Sequence, residues 1–216
     1  MVKATGQDAR DTATEQRILD AAHSVFIRRG TSGARMQEIA EEADVNKALL
    51  HYYFRSKDRL AEAVFRQAAG ELFSAILDVV SSDLELEEKV RRFVDIELTR
   101  LLERPYVPAY ILSEINHEPE RVPQLVSALV GMTPDRVRPR MLDTIRVQIA
   151  QRVEAGTMVP ITAEEFVINL LALCIFPFAA RPMFMAIIGF DHKGFVRFIE
   201  RRRTELPEFF LRALRP

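Results

Sequence analysis

Apolar residues recur at helical spacing through most of the chain. Ile18, Ala21, Ala22, Val25 and Phe26 follow the i, i+3, i+4, i+7, i+8 rule of an amphipathic helix, and Thr12 with Glu15, at capping-box spacing, predicts its start. The residues before Asp11 are polar and mixed in charge, a pattern expected of a loose end. Arg28 and Arg29 suit the C-terminal turn, where the helix dipole favours cations, and Gly30 stops the helix. Met36, Ile39, Ala40 and Ala43 make a second, short helix; Asp44-Val45 then interrupts the pattern before Asn46 caps a third. Two short helices joined by so tight a turn have helix-turn-helix grammar. On the third, Leu50 and Phe54 recur at i and i+4, while Lys47, Ala48, His51, Tyr52 and Arg55 project the other way.

Beyond Ser56 a long helical pattern runs through Leu60, Ala63 and Val64 to Leu77 and Val80, with Gly70 expected at a kink or a close approach. Val90, Phe93, Val94, Ile96, Leu98, Leu101 and Leu102 form the inner face of the next helix, which Pro105 closes. Tyr106, Tyr110, Ile111 and Ile115 follow on a shorter one, and Val122 to Val130 on another. Pro134 opens a helix laced with arginine on its outer side and ended by Gly156. Thr162 with Glu165 is a further capping box. The helix it starts is apolar almost all round, from Phe166 to Phe176, so it must bury two faces. The last segment carries Phe195, Phe198 and Ile199, the triplet Arg201-Arg202-Arg203, and then Leu206, Phe209, Phe210 and Leu214. The fold expected is all-α.

Composition narrows the function. The 216 residues suffice for one large domain or a small one plus a larger one, and only 8 are glycine, as suits a helical fold. A formal net charge of -1 excludes bulk coating of nucleic acid. Between Asn46 and Arg59, however, Lys47, His51, Arg55, Lys57 and Arg59 are opposed by Asp58 alone, so basic charge is focused on the helix-turn-helix. Lys and Arg neutralise phosphates and a short helix fits the major groove, which points to duplex DNA. The single Cys174 forms no internal disulfide, and with no signal peptide this favours the cytoplasm. Neither a Gly-rich phosphate loop nor a nucleophile–base–orienter set is present, so no enzyme activity and no cofactor is expected. Glu114, His117 and Glu118 have a spacing that would need a further ligand to hold a metal, and none is assigned.

The helix from Phe166 is cut by Asn169, Pro177, Arg181 and Pro182, too soon for a membrane span. Burial on one side in its own subunit and on the other in a twin satisfies it better, with Phe166, Leu170, Leu173, Phe195, Phe198 and Ile199 as the expected homodimer contacts. Tyr106, Tyr110, Phe176, Phe178 and Met183, with Phe184 and Met185 beside them, make an aromatic and Met-rich set suited to an apolar or aromatic ligand. A plain core is the competing reading of each of these residues.

The ordered pieces ILDAAHSVFIRRG, MQEIAEEADV and NKALLHYYFRSKDRL give residues 14–65 a resemblance to the N-terminal DNA-binding domain of the tetracycline-repressor (TetR) family of bacterial transcriptional regulators. The rest of the chain matches only in length and helical character. The resemblance implies a three-helix DNA-binding domain over 1–56 and a larger helical ligand-binding and dimerisation domain over 57–216. It makes Lys47, Ala48 and Leu49 readers of base edges, joined by Gln37, with Asn46 at the start of the same helix; His51, Tyr52, Tyr53 and Lys57 would grip the backbone. By helical angle Leu49 leans inward, and Tyr53 has packing as an equal alternative. Two positions depart from the family pattern: Asp44 stands where Gly is common in the turn, and Arg35, which cannot cap but can reach a phosphate, stands where Thr is frequent. A homodimeric repressor on a palindromic operator, released by a small-molecule effector, is what the resemblance implies. An all-helical binding protein or enzyme with a vestigial helix-turn-helix is the alternative.

Overall fold

The computed structural model describes residues 6–117 and 119–216, the side chains at 6–10, 68, 69, 71, 72, 114, 117, 121, 125 and 128–130 excepted. Every regular element among the described residues is helical. Helix α1 (Gly6–Gly33) begins before Thr12, so Thr12 and Glu15 lie inside it rather than capping it; no proline intervenes between Gly6 and Thr12 to stop the helix. At the other end Gly30, at φ 69° and ψ 161°, breaks the helical path and one further turn reaches Gly33. Helices α2 (Met36–Glu42) and α3 (Lys47–Tyr53) follow, then the connector α4 (Lys57–Ser81), which runs without interruption through Gly70.

Two cores share that connector. Ile18, Val25 and Phe26 of α1 pack with Ile39 of α2, Leu50 of α3 and Leu60 and Val64 of α4. Val107 and Tyr110 of α6 (Val107–His117) complete this head core, so a segment far along the chain braces the helix-turn-helix. Leu77 and Val80, at the other end of α4, belong to the body core with α5 (Leu86–Glu103), α8 (Pro134–Glu154), α9 (Ala163–Ala179) and α11 (His192–Ala213). Between α6 and α8 lie a 3-10 turn (Pro119–Arg121) and α7 (Val122–Val130).

Polar groups fix how these helices meet. The Lys89 ammonium is buried and donates to the Val80 carbonyl at 3.0 Å, satisfying one of the free carbonyls at the end of α4. The arginines of α8 reach three neighbours: Arg140 to Asp78 at 2.9 Å, Arg146 to Glu164 at 2.9 Å, and Arg152 to Glu85 at 2.8 Å and Glu87 at 2.7 Å. Exposed pairs of this kind contribute about 0–1 kcal/mol each, so they set register more than stability. Arg152 is the most enclosed of the three and holds the Glu87 carboxyl below the usual carboxylate range. One buried acid has no such partner. Glu97 of α5 is 2% exposed, its Oε2 has no hydrogen-bond partner among the described residues, and burial raises its pKa to about 7.

The capping box of α9 forms as expected: the Glu165 N–H donates to Thr162 Oγ1 at 3.1 Å while the Thr162 N–H donates to the Glu165 carboxylate at 3.1 Å. Past Ala179 the chain bends by 67° into α10 (Arg181–Ile188), and no single helix among the described residues is long and apolar enough to cross a membrane. Four of the six expected dimer contacts are buried within the protomer. Phe166, Leu170, Phe195 and Ile199 are at most 3% exposed and lie inside the protomer's own core, with Leu173 and Phe198 half-buried against it. The large apolar side chains that α9 and α11 leave outside are Ile168, Phe176 and Phe209, at 64%, 57% and 60% exposure. A helix that is apolar all round has no phase in its sequence to say which face turns inward.

Candidate nucleic-acid interface

The turn between α2 and α3 is closed by backbone geometry that the sequence can supply. The Asp44 N–H donates to the Glu41 carbonyl at 3.2 Å and the Val45 N–H to the Ala40 carbonyl at 3.0 Å, the paired bonds of a Schellman motif. That motif needs a left-handed residue, and Asp44 takes the position at φ 52°. Asn46 then caps α3, its side chain accepting from the Leu49 N–H at 2.7 Å, and Ser56 caps α4 in the same way from Arg59 at 3.2 Å. Leu50, fully buried, and Phe54 anchor α3 from within.

What this leaves outside is a compact polar surface. Lys47, Ala48 and His51 are exposed, and Tyr52 is 77% exposed. The side chains of Lys47, His51 and Arg35 make no hydrogen bond or ion pair among the described residues. Arg35 sits at the N-cap position of α2 without capping it. Leu49 is half-buried. Tyr53 packs against the head core, stands edge-on to Tyr52 with ring centroids 5.4 Å apart, and donates to Asp11 at 3.2 Å; burial and the Asp11 carboxylate raise its pKa. Gln37 donates to Glu41 at 2.8 Å, a bond within α2 that an exposed side chain can exchange for another partner.

Lys57 has a structural task that sequence reasoning missed. Its ammonium donates to the carbonyls of Ser32 at 2.9 Å and Ala34 at 3.3 Å, closing the break that Gly30 opens at the end of α1. No local signal announces this, because the two carbonyls are free only once α1 has been broken. Two acids of α2 are paired with α1: Arg28 bonds Glu42 at 2.7 Å and Arg29 lies 3.5 Å from Glu38, tying the two helices together. Within the helix-turn-helix, the basic side chains that keep no such partner among the described residues include Arg35, Lys47 and His51.

The five ligand residues expected from the sequence do not converge on one pocket. Tyr106 and Tyr110 pack on His23 of α1, with ring centroids 4.0 Å and 6.4 Å away, beside a polar recess of ≈ 140 Å³ lined by Gln16, Asp20, Gln67 and Arg104. Burial there, with Arg104 nearby, lowers the His23 pKa against the opposing pull of Asp20. Phe178 is in the body core, whereas Phe176 and Met183 are exposed. Two residues apart on a helix are roughly 200° around it, which sends Phe176 and Phe178 to opposite sides. The Glu114 and His117 side chains and Glu118 lie outside the described residues, among which no group of three or more His, Cys, Asp or Glu could hold a metal.

Comparison with known proteins agrees with this geometry. Residues 18–64 match the family described as bacterial regulatory proteins, tetR family. The HTH-type transcriptional regulator RutR of Escherichia coli strain K12 is 28% identical over 172 residues, covering 79% of this chain and 77% of RutR. The HTH-type transcriptional repressor SCO4008 of Streptomyces coelicolor is 32% identical over 152 residues, covering 63% of this chain and 72% of SCO4008. Among solved structures, the ketosteroid transcriptional regulator KstR2 of Mycobacterium tuberculosis superposes with a TM-score of 0.69 at 13% identity over 94% of this chain and 95% of KstR2. At that identity the likeness speaks for the fold alone.

Proposed function

As a member of the TetR family of bacterial regulatory proteins this chain is a DNA-binding transcriptional regulator, and we propose that it acts as a homodimeric repressor that a small molecule releases from a palindromic operator. The observation that carries the reading is the free polar face of α3: Lys47, Ala48, His51 and Tyr52 are exposed on a helix whose opposite side is locked into the head core. In the major groove Lys47 donates to guanine O6 or N7 and Ala48 sits against a thymine methyl group. Gln37 adds a base contact from α2 on exchanging its Glu41 bond, and Leu49, half-buried, lends shape more than hydrogen bonds. His51, Tyr52, Tyr53 and Arg35 hold phosphates. Lys57, engaged by two carbonyls, adds positive potential at the start of α4.

The head over 1–56 then reads DNA and the body over 57–216 pairs and responds. For the twin subunit we assign the exposed apolar face of α9 and α11, centred on Ile168 and Phe209, in place of residues that the protomer buries for itself. A twofold pair presents two α3 helices to neighbouring turns of the duplex, which is why the operator should be an inverted repeat. The sign of control follows the relative named a repressor, and the site of action is the cytoplasm, without a cofactor. Release works by population shift: a ligand bound more tightly by a body that spaces the heads differently lowers DNA affinity by its differential affinity. The α6 contacts to the head core offer a route, since Val107 and Tyr110 sit in that core while α6 also packs on α9.

Selection of binding sites from random duplex tests the reading. The expected product is an inverted repeat with half-sites about 10 base pairs apart, or a multiple, centre to centre. Recovery of no enriched sequence, or of single half-sites bound by monomer, would overturn it.

A further inference from the structure

The triplet Arg201-Arg202-Arg203 divides its work. Arg201 lies 3.8 Å from Glu205 and the Arg203 guanidinium bonds Asp95 with its Nε at 3.0 Å, so both outer arginines answer a carboxylate. Arg202 turns inward instead. Its guanidinium stands 5.8 Å from the centroid of the Phe198 ring and has no acidic partner among the described residues. One of its donors is accounted for: Nη2 bonds the Leu173 carbonyl at 3.0 Å. That carbonyl needs a donor from elsewhere because its helical partner would be the N–H of Pro177, which proline lacks. The remaining charge is not accounted for. The Arg202 Nε is buried without a partner among the described residues, and burial lowers the guanidinium's pKa.

This cation lines a cleft between α9, α10 and α11, of ≈ 230 Å³, whose other walls are apolar and include Leu173, Phe176, Phe184, Ile188 and Phe198. No side chain of α10 is fully buried, and this wall of the cleft meets its neighbours through an edge-on contact between Phe184 and Phe176 at 5.7 Å and through Arg181, which lies 4.9 Å over the Phe195 ring. An apolar trough with one unanswered cation matches a small molecule with an apolar body and one anionic end. At the roughly 30 Å³ that a water molecule occupies in the liquid, the volume equals about eight waters, with more room at the open mouth.

We propose that the cleft between α9, α10 and α11 binds an apolar monocarboxylate, its carboxylate paired with Arg202 and its hydrocarbon on Phe176, Phe184 and Phe198. This names a ligand class and a place for the effector in the function proposed above. It rests on that reading only for its regulatory meaning, since binding is measurable without DNA. Phe176 on the cleft wall is exposed on α9, as is Ile168 of the face assigned to the twin subunit, so a second copy of the chain is the main rival occupant.

The probe is octanoate, titrated calorimetrically into the full-length protein, with octan-1-ol as the uncharged comparison. Octanoate is expected to bind at least ten-fold more tightly than octanol, and Arg202→Met to remove at least ten-fold of octanoate affinity while changing octanol by less than about two-fold. Because Arg202→Met also strips the donor from Leu173, a second variant leaves that bond alone: Ala172→Glu, at an exposed lining position, sets a competing carboxylate at the cleft and should abolish octanoate binding. Equal affinity for octanoate and octanol, or octanoate binding untouched by both variants, overturns the proposal. So does failure of octanoate to bind together with a dimer that Ala172→Glu splits by sedimentation, which would give the cleft to the second copy. Octanoate bound through Arg202 but unable to release operator DNA would uphold the site and refute only its use in regulation.

Discussion

Glu97 carries a pH signature that can be worked out in advance. Its carboxyl is 2% exposed and titrates near pH 7 in the folded chain against an ordinary value of 4.5. The folded state therefore holds this proton where the unfolded chain has released it. Stability from the neutral acid is complete below about pH 4.5 and is lost as pH rises through about 7. A pKa step of one is worth about 1.4 kcal/mol, so the loss totals about 3 kcal/mol. Glu97→Gln keeps the shape and cannot ionise. Its amide also adds donors that need partners, a pH-independent cost of about 1–3 kcal/mol, so the diagnostic is the slope and not the offset. Urea unfolding of both proteins between pH 4.5 and 8 should show the variant gaining on the parent across that range by about 3 kcal/mol, most of it before pH 7.5. A difference constant with pH would refute the assignment of a neutral, buried Glu97.

Asp44 holds a left-handed position at φ 52°, so Asp44→Gly should be more stable than Asp44→Ala by about 1 kcal/mol in thermal or urea unfolding. Equal stability would mean the Schellman turn is not what fixes α2 to α3. Lys57→Met retains the aliphatic stem but frees the carbonyls of Ser32 and Ala34, and is expected to cost about 1–2 kcal/mol of stability while weakening all DNA sequences alike. A sequence-selective loss with stability unchanged would return Lys57 to a direct role at the operator.

The sequence made most of the helices legible because a helix needs only its own period and its ends. The box at Thr162 and Glu165, the cap at Asn46 and the turn at Asp44 are local chemistry, and each forms where the residues dictate. Thr12 and Glu15 show the limit of such signals: their spacing suits a cap, but a helix that continues past them leaves nothing to cap. What depends on distant partners was hidden. Val107 and Tyr110 join the head core from α6, and Lys57 is claimed by carbonyls that a break at Gly30 exposes. The apolar girdle of α9 hid its phase, which is why Phe166 and Leu170, read as contacts for a twin, turn out to be internal while Ile168 faces outward. The exposed polar face of α3 was easier, since Lys47 and His51 stand out against a chain with a net charge of -1 and keep their side chains exposed.

The central claim is that α3 reads base edges through Lys47. Its most direct test is fluorescence anisotropy on the selected operator and on scrambled duplex, for the parent protein and Lys47→Ala, across a range of salt concentrations. Parent protein is expected to prefer its operator with a steep salt dependence, and Lys47→Ala to lose about 1–3 kcal/mol on the operator, with relaxed discrimination at one base pair of each half-site and little change on scrambled DNA. Unchanged operator affinity and discrimination in Lys47→Ala would contradict the account.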